Sequence, residues 1–174
     1  TLYKTGRLTL PDEDRTIAFY QMTQDVCADF GMPAYEVSNH AKPGQASRHN
    51  MTYWTGGDYL GIGAGAHGRI ATEEGRVATL SHHAPEIWLD TVKKQGTGVN
   101  RETVLDATTQ AQERLMLGLR IDAGVPISAV AGHIDTQKLA ILQAEGLIEE
   151  DPDHISVSDK GKLLLNGIVG ALIK

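Results

Sequence analysis

The residue pattern with the clearest chemistry is His49-Asn50-x-x-Tyr53-Trp54. The His49 imidazole can bind a metal, and its polar and aromatic neighbours could orient the ring or stack on a flat ligand. The same residues also suit a loop histidine whose neighbours anchor the loop, because aromatic side chains often cover core surface. From these residues alone, anchoring is the favoured interpretation.

A second unusual segment, residues 59–68, places Gly61, Gly63, Gly65 and Gly68 at every second or third position. Glycine lets another backbone or a flat ligand approach closely, which makes Gly63 and Gly65 candidate contacts for a ligand. The alternative is a glycine-rich strand in a crowded barrel, where small residues make room. No strand-turn-helix pattern surrounds the segment, so a dinucleotide site is not expected.

The other potential metal ligands form no convincing set. His82 and His83 are adjacent, so in a strand their rings would point to opposite faces. Cys27 is the single cysteine, which excludes an intramolecular disulfide and cannot by itself hold an iron-sulfur cluster. We expect it to be a small buried apolar residue on a helix. The remaining histidines lack metal-ligand spacing: His67, His133 and His154.

Composition narrows the class of protein. With 41% hydrophobic and 22% charged residues, the chain is typical of folded globular proteins. The net charge of -6 argues against nucleic acid as a partner, because phosphate contacts need a basic face. No apolar run approaches the roughly 20 residues of a membrane helix. A cytoplasmic protein without an integral membrane segment is therefore expected.

The first part of the chain predicts alternating helices and strands. Apolar residues at helical spacing begin after the acidic residues 12–14 and end at Gly31, which indicates an amphipathic helix. A short strand around Tyr35 and Val37 follows, as expected in a β/α unit. The later patterns predict a hairpin over residues 69–71 and 76–80 and a helix over residues 85–94.

From about residue 106 the pattern predicts three helices over residues 109–119, 126–131 and 136–145. A hairpin over 147–149 and 155–157 and a last helix from Asp159 follow, an order typical of a winged-helix-like domain. Such a domain prompts a DNA-binding alternative, but residues 136–145 contain only Lys138 as a cation. A packing or docking role is favoured over DNA binding.

Three segments together resemble the radical-SAM group that contains oxygen-independent coproporphyrinogen III oxidase and the HemW haem chaperones. They are residues 35–44 (YEVSNHAKPG), 48–54 (RHNMTYW) and 57–68 (GDYLGIGAGAHG). Residues 115–120 and 158–166 resemble the C-terminal domain of the same group. Within this group, the His-Asn-x-x-Tyr-Trp pattern resembles the sequences of the haem chaperones more than that of the oxidase.

The resemblance implies an α/β fold in two parts. Residues 1–105 would be the closing part of a partial β/α radical-SAM barrel, with a glycine-rich strand and a His-Asn-x-x-Tyr-Trp loop. Residues 106–174 would be the small winged-helix-like α+β domain. In the full-length group, three N-terminal cysteines bind a [4Fe-4S] cluster that meets S-adenosylmethionine; this chain does not hold that cluster and alone is expected to be inactive.

The resemblance also implies site residues and partners. His49 would bind haem iron, Tyr53 and Trp54 would contact haem, and Ala41 matches a position whose backbone contacts S-adenosylmethionine. The function implied is a haem chaperone that binds and transfers haem. Its implied partners are a haem-accepting protein and a second copy of the chain in a homodimer. The alternatives are the oxidase, which decarboxylates coproporphyrinogen III to protoporphyrinogen IX, and a winged-helix interaction or DNA-binding module.

Overall fold

The computed structural model describes residues 5–6 and 8–174, and the chain divides into two compact units. The first unit extends to Ser47 and the second comprises Arg48–Lys174. Helices and strands occur in both units, so the chain belongs to the mixed α/β class, as predicted.

The first unit contains one long helix and a small hairpin. Helix α1 (Glu13–Asp29) begins where the Asp12 carboxylate accepts a hydrogen bond from the Arg15 backbone N–H at 2.9 Å. The predicted helix is thus confirmed. Strands β1 (Ala34–Glu36) and β2 (Asn39–His40) pair antiparallel immediately after it.

The apolar face of α1 is exposed in the structure. Phe19 is 56% exposed and Phe30 is 74% exposed, and Met22 and Val26 are also exposed. No residue of α1 is buried, and Cys27 is only half-buried. The expectation that Cys27 is a buried residue was therefore wrong, because nothing described covers this face of the helix.

The second unit opens with helix α2 (Arg48–Trp54) and a three-stranded antiparallel sheet. Strands β3 (His67–Thr72) and β4 (Gly75–Ser81) form the predicted hairpin, and β5 (Val99–Val104) pairs with the other edge of β4. Helix α3 (Pro85–Gln95) connects β4 to β5, with Pro85 in its first turn and Gly96 in the left-handed conformation at its end.

The remainder of the chain forms short elements around a common core. Helix α4 (Ala107–Gly118) begins at Asp106, whose carboxylate accepts from the Thr109 N–H at 2.7 Å. The later elements are β6 (Val125–Pro126), a 3-10 turn (Ile127–Ala129), α5 (Thr136–Ala144), β7 (His154–Ile155), α6 (Asp159–Lys162) and α7 (Leu165–Leu172).

The buried apolar core lies in this last region. Among the described residues, every buried large aliphatic side chain lies between Leu115 and Leu172. Leu115, Val125, Val130 and Leu172 are fully buried, so helices α4 and α7 and strand β6 supply its centre. Burial of this apolar area is the main force that holds these short elements together.

The structure corrects three predictions about elements. Residues 126–131 are not a helix: Pro126 pairs with His154 in a two-stranded ladder, which leaves room only for the 3-10 turn. The glycine-rich segment is a loop, since strand β3 begins only at His67. The His-Asn-x-x-Tyr-Trp segment is helix α2, not a loop.

The predicted hairpin near residue 150 is present, although it is short. Ile148 and Val157 form an antiparallel bridge, and the Glu149 N–H donates to the Ser156 carbonyl at 2.9 Å. Strand β7, however, pairs with β6, which lies almost 30 residues earlier in the sequence. All described strand pairs are antiparallel.

None of the helices in the described part of the chain is long and apolar enough to cross a membrane.

Candidate functional site

Helix α2 sets the geometry of the predicted haem ligand. His49 and Tyr53 are four residues apart, so the helix places them on one face. Their ring centroids are 4.7 Å apart with an interplanar angle of 86°, an edge-to-face contact. His49 is exposed and Tyr53 is half-buried, so the imidazole is accessible while one side of it is held.

Tyr53 also contacts a third ring. The centroid of Tyr59 lies 4.5 Å from that of Tyr53, again edge-to-face at 83°. Tyr59 is fixed in turn by two backbone hydrogen bonds with Arg69 of β3, of 2.8 and 2.9 Å. The three rings, His49, Tyr53 and Tyr59, form a continuous row from the accessible imidazole to the sheet; we call them the aromatic row.

Trp54 has different neighbours. The Arg120 guanidinium carbon lies 5.4 Å from the centroid of the Trp54 ring, within the range of a cation–π contact. The Trp54 indole N–H is buried and has no acceptor among the described residues. The structure therefore joins His49 and Tyr53 directly but records no ring contact between Trp54 and either of them.

Gly63 and Gly65 lie in the loop before β3, and both have positive φ angles, of 113° and 71°. The Gly65 N–H donates to the His82 carbonyl at 2.8 Å, and the Ser81 N–H donates to Ala66 at 2.8 Å. These bonds attach the loop to the end of β4. A side chain at either glycine would be strained, so the positive φ angles give a structural reason for both residues.

Ala41 lies in the first unit, directly after β2. Its backbone N–H donates to the Pro33 carbonyl at 3.1 Å, which closes the β1–β2 hairpin. Its predicted contact with S-adenosylmethionine stays a prediction. The same holds for the ligand roles of His49, Tyr53, Trp54, Gly63 and Gly65.

No group of three or more His, Cys, Asp or Glu residues in the described ranges is arranged to hold a metal ion. The chain contains one cysteine, Cys27, whereas a cluster of the [4Fe-4S] type needs several thiolates. The residues present do not fit such a cluster.

Sequence reasoning missed a half-buried ion pair beside the aromatic row. Arg69 of β3 and Glu113 of α4 form a bidentate ion pair with a shortest N–O distance of 2.6 Å. The hydrogen bonds that Arg69 donates to the Glu113 carboxylate raise the pKa of Arg69, although partial desolvation lowers it. The two residues are 44 positions apart, and no motif in the sequence connects them.

Residues 105–164 match the HemN C-terminal domain family. The HemW haem chaperone of Bacillus subtilis is 32% identical over 180 residues, which cover 99% of this chain and 46% of that protein. The chain is HemW/HemN-like. The resemblance expected from the three motif segments is thereby confirmed.

Other relatives agree with this HemW/HemN-like assignment. The HemW haem chaperone of Escherichia coli is 29% identical over 97% of the chain. The mitochondrial radical S-adenosyl methionine domain-containing protein 1 of Bos taurus is 39% identical over 72% of the chain and 29% of its own length. The chain spans less than half the length of these relatives.

The solved structure of coproporphyrinogen III oxidase HemN, described as a radical-SAM enzyme from Escherichia coli, has the same fold. The TM-score is 0.69 over 93% of this chain and 42% of the oxidase, at 18% sequence identity. At 18% identity, the comparison shows a shared fold and nothing further. It supports the α/β prediction without extending to activity.

Proposed function

We propose that this chain is part of a haem chaperone and that it binds haem through His49. The names of the HemW relatives, which are haem chaperones at 29–33% identity over almost the whole chain, support the proposal. The single observation that carries it is the exposed His49 imidazole, held edge-to-face by Tyr53 on helix α2.

This geometry suits an axial ligand for iron. Neutral imidazole binds haem iron through a ring nitrogen, so the ring must be accessible and its orientation restricted. His49 is exposed, and the Tyr53 ring limits its rotation from one side. An exposed site would also let haem leave again, which a protein that transfers its cargo requires.

The roles of the neighbouring residues follow from their placement. Tyr53 would contact the porphyrin edge, because it adjoins the ligand ring. Trp54, packed under Arg120, would act mainly by fixing the end of α2. Gly63 and Gly65 would keep the loop before β3 free of side chains beside a flat ligand.

We further propose that residues up to about 105 close a partial β/α barrel and that residues 106–174 are a winged-helix-like domain. The fold likeness to HemN supports the first statement. The confinement of the buried aliphatic core to residues 115–172 supports the second. DNA binding is not favoured, because Lys138 is the only cation on α5.

In the full-length protein, S-adenosylmethionine and a [4Fe-4S] cluster would be held mainly by other residues. The backbone of Ala41 is the one contact with S-adenosylmethionine that we assign to this chain, and Cys27 does not fit the cluster. This chain alone would then carry haem without radical chemistry. A haem-accepting protein and a homodimer are the partners we expect.

Titration with haemin tests the proposal. Wild-type chain should produce a shifted Soret band that saturates at one haem per chain, and His49→Ala should weaken binding at least about tenfold, since one metal–ligand bond is lost. His83→Ala, which removes another exposed histidine of the second unit, is the matched control and should bind like wild type.

Two results would contradict the haem assignment. Equal titrations for wild type and His49→Ala would remove His49 as the ligand, and loss of the band only in His83→Ala would transfer the role to that residue. The oxidase alternative is tested separately in the full-length protein, by looking for protoporphyrinogen after anaerobic reaction with coproporphyrinogen III and S-adenosylmethionine.

A further inference from the structure

A cavity of about 320 Å³ opens beside the aromatic row, between helices α2 and α4 and the β3–β4 hairpin. Tyr53, Tyr59 and Leu117 line it. Its charged lining residues are Arg69, Arg76, Arg114 and Glu113. Its size is near the lower end of the range for small-molecule sites.

Two of the three arginines have carboxylate partners. Arg69 is paired with Glu113, as described above. Arg76 donates to the Asp58 carboxylate at 2.9 Å and to the Gly57 carbonyl at 2.8 Å. These two guanidinium groups are therefore neutralised within the protein, although Asp58 itself is exposed.

Arg114 is different. The only hydrogen bond recorded for its side chain among the described residues is a long one, 3.4 Å, to the Trp54 carbonyl, and no described carboxylate lies within ion-pair distance. Burial, and then the nearby charge of Arg76, lower its pKa, but an arginine remains charged at neutral pH. Arg114 is thus a half-buried cation without a carboxylate partner, whereas the Glu113 carboxylate, which lines the same cavity, is paired with Arg69.

The position of Arg114 is fixed by the backbone around it. Gly56 has a φ angle of 69°, and a Cβ placed there would lie 2.5 Å from an Arg114 guanidinium nitrogen. The Arg114 guanidinium therefore lies against Gly56, where any side chain would occupy the same space. A charged group taken from water without a partner is costly, and an anion in the cavity would reduce that cost.

We propose that this cavity binds an organic carboxylate, with the carboxylate on Arg114 and the apolar body of the ligand against Tyr53, Tyr59 and Leu117. A planar guanidinium binds a carboxylate through two parallel hydrogen bonds, and the aromatic and aliphatic lining suits carbon better than a fully hydrated ion. This inference does not depend on His49 binding haem.

The acid could be a free molecule or the carboxylate arm of a larger one, such as a porphyrin propionate. The site's chemistry is the same in both cases. Tyr53 lines the cavity and also contacts His49, so a porphyrin bound at His49 would lie close to the cavity. The lining residues therefore suit both a free acid and a porphyrin propionate, and an experiment must distinguish them.

Calorimetric titration with 3-phenylpropionate tests the proposal on the wild-type chain, using the neutral 3-phenylpropionamide as a comparison that requires no mutation. The acid should bind at least about tenfold more tightly than the amide, since a charge-assisted bidentate pair is lost in the amide. Amide binding equal to that of the acid would overturn the proposal, and so would equally tight binding of inorganic phosphate.

Variants locate the site. Arg114→Met should abolish binding of the acid, whereas Arg101→Met, which removes one exposed positive charge from β5, should leave it unchanged. Backbone amide shifts of Gly56 and Gly57 on adding the acid should accompany binding in the wild type. Unchanged affinity in Arg114→Met, or shifts confined to other residues, would place the acid elsewhere.

Haemin and haemin dimethyl ester identify the source of the carboxylate. If Arg114→Met weakens binding of haemin but not of the ester, the carboxylate is a porphyrin propionate. If it weakens only 3-phenylpropionate, the ligand is a separate acid. Loss of haem binding in His49→Ala with retained acid binding would show that the cavity and the haem ligand are independent sites.

Discussion

Tyr53 contacts two rings at once, His49 on one side and Tyr59 on the other. We expect Tyr53→Leu to weaken haemin binding by about 2- to 10-fold, because each edge-to-face pair contributes about 0.5–1.5 kcal/mol. Tyr53→Phe keeps both ring contacts and should remain close to wild type. Soret titrations measure both variants; a Phe variant as weak as the Leu variant would assign the role to the hydroxyl group instead.

A second residue-scale prediction concerns pH. Backbone hydrogen bonding from Thr109 lowers the pKa of Asp106, the N-cap of α4. Because the pKa is lower in the folded state, this stabilisation is present above the unfolded value of about 3.9 and is lost as pH falls through the folded value.

Asp106→Asn separates this charge from the cap itself. Asparagine caps helices about as well as aspartate, so stability at pH 7 should change little. As pH falls below about 4, the variant should lose less of its free energy of unfolding per pH unit than the wild type does. Urea unfolding across this range measures it. Glu150→Gln removes one exposed carboxylate as the control, and an equal change of slope in that variant would contradict the assignment.

At the scale of elements, the glycine-rich loop provides a stability test. A Cβ at Gly61 would collide with the backbone of His67, so Gly61→Ala should destabilise the second unit by about 1–3 kcal/mol. Gly167, in the first turn of α7, has no atom within 4 Å of the place that a Cβ would occupy, so Gly167→Ala should stabilise the unit by up to about 1 kcal/mol. Thermal unfolding with opposite signs for the two variants is expected; destabilisation of similar size in both would refute the steric explanation.

Local signals account for the elements that could be predicted. Helix α1 begins after Asp12 and ends before Gly31, and helix α3 begins at Pro85 and ends before Gly96. Each of these residues has its own preference for a helix end, so the ends could be predicted locally. Strand β5 could not be predicted, because most of its side chains are exposed and its register is set by β4, about 20 residues away. The helix predicted from Pro126 was wrong for the same reason, because Pro126 pairs in a strand with His154, which is distant in sequence.

The site divides in the same way. His49 and Tyr53 could be identified from one short motif, although the helix that places their rings together was not predicted. The cavity could not be found in the sequence, because Tyr59, Arg76 and Arg114 come from three separate segments. Only the packing of α4 beside α2 and the hairpin brings these side chains to one cavity.

At the scale of the whole molecule, apolar burial is uneven. Leu115 is fully buried, so Leu115→Ala should cost about 2–5 kcal/mol. Phe19 is 56% exposed on α1, and Phe19→Ala should cost about 0.5 kcal/mol or less. Urea denaturation followed by far-ultraviolet circular dichroism measures both; a Phe19→Ala effect as large as that of Leu115→Ala would mean that the α1 face is covered in solution.

The central claim is that His49 binds haem iron. Resonance Raman spectroscopy of the ferrous, five-coordinate haem complex tests it most directly, using chain labelled with 15N-histidine. We predict an iron–histidine stretching band that shifts on labelling and disappears in His49→Ala while persisting in His83→Ala. A band that does not shift on labelling, or one that persists in His49→Ala, would contradict the claim.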